Sequence, residues 1–203
     1  MTTRTDLSSE RPRQIIEAAL KVFARDGLTA RMADVADEAG VSKGTLYLYF
    51  DSKDHLIESL MLAMFDADLL SLQAIRADTD RPVIDRLLDY AQQAAADFAI
   101  MQEQIAIAIE IFAMATRDEG LQQALRSYYE RYWELLTDLF QQGVTRGELR
   151  PDVDPAQVAR RLTAMWDGEM MVLLLYPDRT DMDRRFEHGI RTLLDGIRER
   201  TSS

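Results

Sequence analysis

Apolar residues return every third or fourth position along nearly the whole chain, a period that predicts helices throughout. Ile15, Ile16, Ala19, Leu20 and Phe23 mark one face of a first helix. Pro12 fits its first turn, where no amide hydrogen is needed, and Gly27 suits its C-terminal end. Met32, Val35, Ala36 and Ala39 give a short second helix that stops at Gly40. Val41 and Ser42 follow, and a third short helix carries Leu46 and Phe50 inward. Two short helices joined by a tight glycine turn form the helix-turn-helix arrangement, whose second helix can lie in the major groove of DNA.

The polar positions of that third helix sharpen the picture. With Leu46 and Phe50 four apart on the buried side, Lys43, Thr45, Tyr47 and Tyr49 fall outside it. Lysine reaches phosphates or guanine edges, tyrosine hydroxyls donate to phosphate oxygens, and Gly44 allows close approach of the backbone. Asp51 or Ser52 caps a fourth helix, placing Lys53 where free helix amides suit a phosphate. The same spacing also allows Tyr47 and Tyr49 to pack against the first helix, so periodicity by itself leaves both readings open.

Beyond this module the stripes lengthen. Ile57, Leu60, Met61, Met64 and Phe65 mark a long fourth helix. Arg81-Pro82 opens a fifth with Val83, Ile84, Leu87, Leu88, Ala91 and Phe98. Ile105 to Ala115 is apolar nearly all round and is expected to be central. Leu121 to Phe140, Ala156 to Tyr176 and Asp183 to Arg200 complete an all-α chain of about nine helices.

Composition narrows the chemistry. The 203 residues carry a formal charge of −11, but unevenly. Residues 1–55 hold eight basic and nine acidic side chains, a net of −1, whereas residues 56–203 hold 16 and 26, a net of −10. A near-neutral module can approach a polyanion through local placement of cations, while the acidic remainder turns away. Cysteine is absent and only His55 and His188 are present, far apart, with no HExxH or nucleophile elbow. No catalytic residue, metal site or cofactor is expected. The N-terminus lacks an apolar signal region, and the most apolar stretch, Ala99 to Ala115, is too short and too charged to span a membrane. A cytoplasmic location is expected, with no membrane partner.

Ala18 through Phe23, Gly27, Asp34-Val35-Ala36, Ala39-Gly40-Val41-Ser42, Lys43-Gly44-Thr45-Leu46-Tyr47, Tyr49-Phe50 and Ser52-Lys53 together resemble the TetR family of bacterial transcriptional regulators. The resemblance covers the three N-terminal helices. It implies a recognition helix from Ser42 to Tyr49, with base contacts around Lys43, Gly44 and Thr45 and phosphate contacts from Tyr47, Tyr49 and Lys53. Where many members have Thr followed by Ser or Thr at the start of helix two, this chain has Ala30-Arg31. The cap is therefore expected at Thr29, with Arg31 meeting phosphate by charge. Leu48 departs too, and bears on which operator is preferred.

The resemblance also implies an organisation: a disordered arm over residues 1–10, a DNA-binding domain over 11–55, and a regulatory ligand-binding and dimerisation domain over 56–203. The last two helices would meet their symmetry mates in a homodimer on a near-palindromic operator in double-stranded DNA. A cationic or lipophilic small-molecule effector would release it. Met101, Met114, Met170, Tyr129, Trp133 and Trp166 are candidates to line an adaptable cavity, since thioethers fill irregular space. Glu110, between Ile109 and Ile111, is costly to bury unpaired and would be offset by a cationic ligand, an arginine or solvent. Simple packing in the core is the blander account of these apolar residues and stands ahead of ligand contact for any one of them. The alternative is a helical enzyme or binding protein whose N-terminal bundle only resembles a DNA reader.

Overall fold

A computed structural model describes residues 9–96, 98–176 and 182–198, with side chains at 93–96, 98–103, 173–174 and 182–186 left undescribed. Among the described residues, nine helices run in order: α1 (Glu10–Asp26), α2 (Met32–Glu38), α3 (Lys43–Tyr49), α4 (Lys53–Ala77), α5 (Val83–Ala96), α6 (Phe98–Ala115), α7 (Glu119–Thr145), α8 (Pro155–Leu175) and α9 (Met182–Asp195). They pack into two compact units. Residues 1–67 with 102–125 form the first, and residues 68–101 with 126–203 the second. This division differs from the boundary expected near residue 55. The second half of α6 and the start of α7 pack with the N-terminal helices, because Ile107, Ile111, Ala115, Leu121 and Leu125 share their core.

In the first unit, α1 buries Ile15, Ile16, Ala18, Ala19, Val22 and Phe23 along one stripe. It begins at Glu10, inside the stretch expected as an arm; residues 1–8 of that stretch lie outside the described residues. Gly27 ends it at φ 73° and ψ 171°, and its amide donates to Phe23 O at 2.9 Å. That backbone region is essentially restricted to glycine, because a Cβ would clash there. The expected cap at Thr29 is not formed. Arg31 is the N-cap of α2, and the Asp34 carboxylate accepts from the Arg31 amide at 3.0 Å. A carboxylate three residues into the helix thus satisfies a free amide that a threonine hydroxyl would otherwise serve. Gly40 turns at φ 63°, Val41 N donates to Ala36 O at 3.0 Å, and Gln14 Nε2 ties α1 to Ala39 O at 2.8 Å. Ser42 then caps α3 by accepting from the Thr45 amide. Leu46 and Phe50 are completely buried, each contributing about 1.5–3 kcal/mol from burial of apolar surface. Ser52, rather than Asp51, caps α4 by accepting from the His55 amide at 3.1 Å.

The second unit is built on Leu69, Leu72, Val83, Leu87, Leu136, Leu139, Phe140, Ala159 and Leu194. α5 ends at Ala96, so Phe98, expected on its stripe, instead opens α6, and its side chain lies outside those described. At the other end, Glu148 Oε2 caps α5 by accepting from the Val83 amide at 2.6 Å. Arg86 is 1 % exposed and has no carboxylate partner among the described residues. Its guanidinium donates to Ile75 O, Arg76 O and Gln142 Oε1 instead, so the negative end of α4 holds the charge. α9 stops at Asp195 rather than near Arg200, because the Arg150 amide donates to Ile197 O at 2.9 Å and draws residues 197–198 against Leu149. α6 is less enclosed than its composition predicts: Ile105, Ile107 and Ile111 are buried, but Glu110 and Phe112 are exposed.

Candidate nucleic-acid interface and regulatory site

α3 offers one anchored face and one free face. Its buried side is Leu46, continued by Phe50 beyond its end. Opposite lie Lys43 and Gly44, both exposed, with Tyr47 at 47 % and Leu48 at 76 % exposure. The Ser42 hydroxyl lies 2.9 Å from the Thr45 hydroxyl while accepting from its amide, so these two candidate contacts also fix the start of the helix. Tyr49 is half-buried and packs partly against the core, so its ring is less free than Tyr47's. Lys53 stands half-buried in the first turn of α4. Arg31 is exposed but engaged: Nε and Nη2 donate to the two Asp34 oxygens at 3.1 and 2.8 Å. That hydrogen bond holds the Asp34 carboxyl below its ordinary range, and a phosphate would compete with it for the guanidinium.

The expected effector residues divide between the units. Glu110 and Met114 belong to the first. Glu110 Oε2 accepts from the Leu28 amide at 2.9 Å, just past the glycine turn, so this exposed carboxylate has a backbone partner. Met101 lies outside the described side chains. Tyr129, Trp133, Trp166 and Met170 belong to the second unit. There Tyr129 donates to Asp167 Oδ2 at 3.0 Å and its ring lies 5.5 Å from Trp133, over which Arg160 sits at 5.3 Å.

Four further residues complete this group and were not singled out by the sequence as candidate ligand contacts. Asp68 on α4 accepts from Tyr90 on α5 at 2.5 Å and from Tyr128 on α7, and Tyr132 is 8 % exposed beside them. Ring centroids of Tyr128 lie 5.3 Å from Tyr129 and 5.7 Å from Tyr132. Burial first, and the nearby carboxylates second, push the Tyr128 and Tyr129 hydroxyls up, so both are neutral donors. Burial also raises Asp167, opposed by the Tyr129 hydrogen bond and reinforced by the charge of Asp68. The signal available in the sequence was Tyr128, Tyr129 and Tyr132 at i, i+1 and i+4, which reads equally as an apolar stripe.

Comparison with known proteins bears on both sites. Residues 15–60, which contain the whole of α2 and α3, match the family model of bacterial regulatory proteins, tetR family. Residues 83–199 match that of the BetI-type transcriptional repressor, C-terminal. The chain belongs to the TetR family. As a TetR-family protein it is a ligand-responsive, DNA-binding transcriptional repressor. It is similar to the HTH-type transcriptional regulator YfiR of Bacillus subtilis, 28 % identical over 83 % of this chain and 82 % of that one. It is 25 % identical to the HTH-type transcriptional repressor KstR of Mycobacterium tuberculosis, over 94 % and 83 %. Its fold matches the crystal structure of a transcriptional regulator from Saccharomonospora viridis in complex with choline, with TM-score 0.78, 22 % identity, and coverage of 94 % and 99 %. These relatives are transcriptional regulators. No helix among the described residues is long and apolar enough to cross a membrane.

Proposed function

We propose that this TetR-family repressor acts as a homodimer that places two copies of α3 in successive major grooves of a near-palindromic operator. The observation that carries the reading is the polarity of α3: Leu46 fully buried, with Lys43, Tyr47 and Leu48 in solvent. Lys43, Gly44 and Thr45 would read bases. Tyr47, Tyr49, Lys53 and Arg31 would hold phosphates, with Ser42 setting the angle of entry. In a dimer the two recognition helices would lie about 34–36 Å apart, one turn of DNA, or a multiple of that.

The second half of α8 supports the dimer. Met171, Val172 and Leu175, with Tyr176 just past the helix, are exposed, Leu175 by 75 %, and large apolar side chains gathered in water mark an interaction surface. α9 would complete a four-helix contact with the partner copy. Effector binding among Tyr129, Trp133, Trp166 and Met170 would shift the dimer away from the DNA-competent arrangement. Coupling of about 1–3 kcal/mol would weaken operator affinity about 5- to 150-fold. α4 contributes residues to both units and is the element through which such a change would pass.

Fluorescence anisotropy with DNA from upstream of the protein's own reading frame tests the proposal. Sequence-preferring binding whose affinity falls steeply with salt is expected. Equal affinity for scrambled DNA would overturn it. No observation among the described residues favours the alternative of a helical enzyme.

A further inference from the structure

The outward face of α3 is apolar along its centre. At about 100° per residue around a helix, Gly44 and Leu48 lie about 160° and about 200° from Leu46, on either side of the line opposite the buried side. Lys43 and Tyr47 fall on one flank of that line, and Thr45 and Tyr49 on the other. The polar groups of the helix therefore form its edges. The part that points straight away from the core carries one leucine, 76 % exposed, and one position without a side chain. Because a helical side chain leans over the turn before its own Cα, Leu48 leans toward Gly44.

Nothing within the described residues requires a glycine at position 44. Positive φ occurs at Gly27, Gly40 and Gly147 but not there. A Cβ built on Gly44 would meet only the Ser42 hydroxyl, at 3.7 Å, which is ordinary van der Waals contact. Glycine weakens a helix relative to alanine, and α3 has only seven residues to hold it together. Leu48, one turn later on the same line, leaves its apolar surface in water. Both local costs are offset by a partner outside the chain that comes close at residue 44 and is apolar where it meets residue 48. In the proposed docking that line faces base edges in the major groove. Leucine neither donates nor accepts a hydrogen bond, and the apolar group that base pairs present in that groove is the C5-methyl of thymine.

We infer that Gly44 and Leu48 form one notch that seats a thymine C5-methyl in each half-site, Gly44 by leaving room for the base edge and Leu48 by covering the methyl. A methyl contact, not a hydrogen bond, then decides the base read at the outermost line of α3. This rests on the DNA-binding reading of α3 and names the chemistry that its outermost residues recognise. 5-Methylcytosine carries the same group in the same place, so the notch accepts it as well.

Fluorescence anisotropy with the full-length protein tests the inference, on a duplex from its upstream DNA that footprinting shows to be protected. Deoxyuridine replaces thymine at one symmetric pair of positions at a time, which removes the methyl and keeps every hydrogen-bonding group. At one such pair, affinity is expected to fall about fourfold for each half-site changed and about fifteenfold for both, from one methyl apiece. Leu48→Ala should bind the unmodified duplex at least as weakly as the parent protein binds the uridine duplex, and should be indifferent to uridine at that pair. With cytosine placed there instead, its replacement by 5-methylcytosine should strengthen binding by the parent and not by Leu48→Ala. Gly44→Ala should raise the melting temperature yet weaken operator binding, whereas a glycine needed only for the fold would lower the melting temperature. A uridine scan with no position at which parent and Leu48→Ala differ, no gain from 5-methylcytosine, or unchanged operator binding by Gly44→Ala would overturn the inference. Unmodified and scrambled duplexes are measured in the same series. Sequence preference without a methyl effect leaves the repressor reading standing, and loss of sequence preference overturns both.

Discussion

Replacing Glu110 with alanine removes the acceptor of the Leu28 amide, which lies 2.9 Å from Oε2. A hydrogen bond to a charged group contributes about 1.5–3 kcal/mol net. Glu110 is partly exposed, so screening reduces the expected loss to about 1 kcal/mol. The turn it serves has little freedom to compensate, because Gly27 sits in a glycine-only conformation and a Cβ added there would lie 3.4 Å from Glu110 Oε1. Leu28 is itself buried, so water does not readily replace the lost acceptor. Amide hydrogen exchange reads the bond locally: about 1 kcal/mol corresponds to about fivefold faster exchange at Leu28. Glu110→Gln keeps an oxygen acceptor without its charge and should fall between parent and alanine. The Leu139 amide, in the other core, serves as the control. Unchanged exchange at Leu28 in the alanine variant, or equal acceleration at Leu28 and Leu139, would refute the reasoning.

Lys53→Ala should weaken binding to all DNA sequences alike and flatten the salt dependence by about one unit of slope per protomer, whereas Lys43→Ala should change which site is preferred. Leu175→Glu, at a largely exposed position of α8, should convert dimer to monomer in analytical ultracentrifugation with little change in helix content; a dimer that persists would place the interface elsewhere. Gly189→Val should destabilise the α8–α9 packing, since even a Cβ would lie 3.0 Å from Met165 Sδ; overpacking of this kind costs about 1–3 kcal/mol, readable as a lowered melting temperature. Asp167 has a raised folded pKa, so its contribution to stability is present in acid and is lost as pH rises through that value. Asp167→Asn should therefore gain melting temperature relative to the parent as pH rises from acid to neutral; a difference independent of pH would contradict it.

The first three helices were readable because each local device lies within a few residues of what it serves. Gly27 and Gly40 mark the turns, Ser42 caps α3, and Leu46 with Phe50 shows the buried side. The cap of α2 was misplaced for a local reason as well: a carboxylate at Asp34 does the work expected of a hydroxyl at Thr29. What sequence could not show are partners distant along the chain. Glu110 finds Leu28, and Asp68 finds Tyr90 and Tyr128, only after the helices have packed. The same holds for α9, whose helical pattern continues past Asp195 while residues 196–198 form a turn held by the Arg150 amide and an isolated bridge between Leu149 and Arg198. A tyrosine at helical spacing therefore reads as core until the carboxylate facing it is placed.

In the proposed function α3 is a rod anchored by Leu46 whose opposite face would read DNA. The most direct measurement is the affinity of the full-length protein for its upstream DNA and for a scrambled duplex across a salt series, repeated with Tyr47→Phe and Thr45→Ala. Preferential binding to the upstream site is predicted, uniformly weakened by Tyr47→Phe and redirected among sites by Thr45→Ala. Binding that ignores sequence, or that both variants leave untouched, would contradict it.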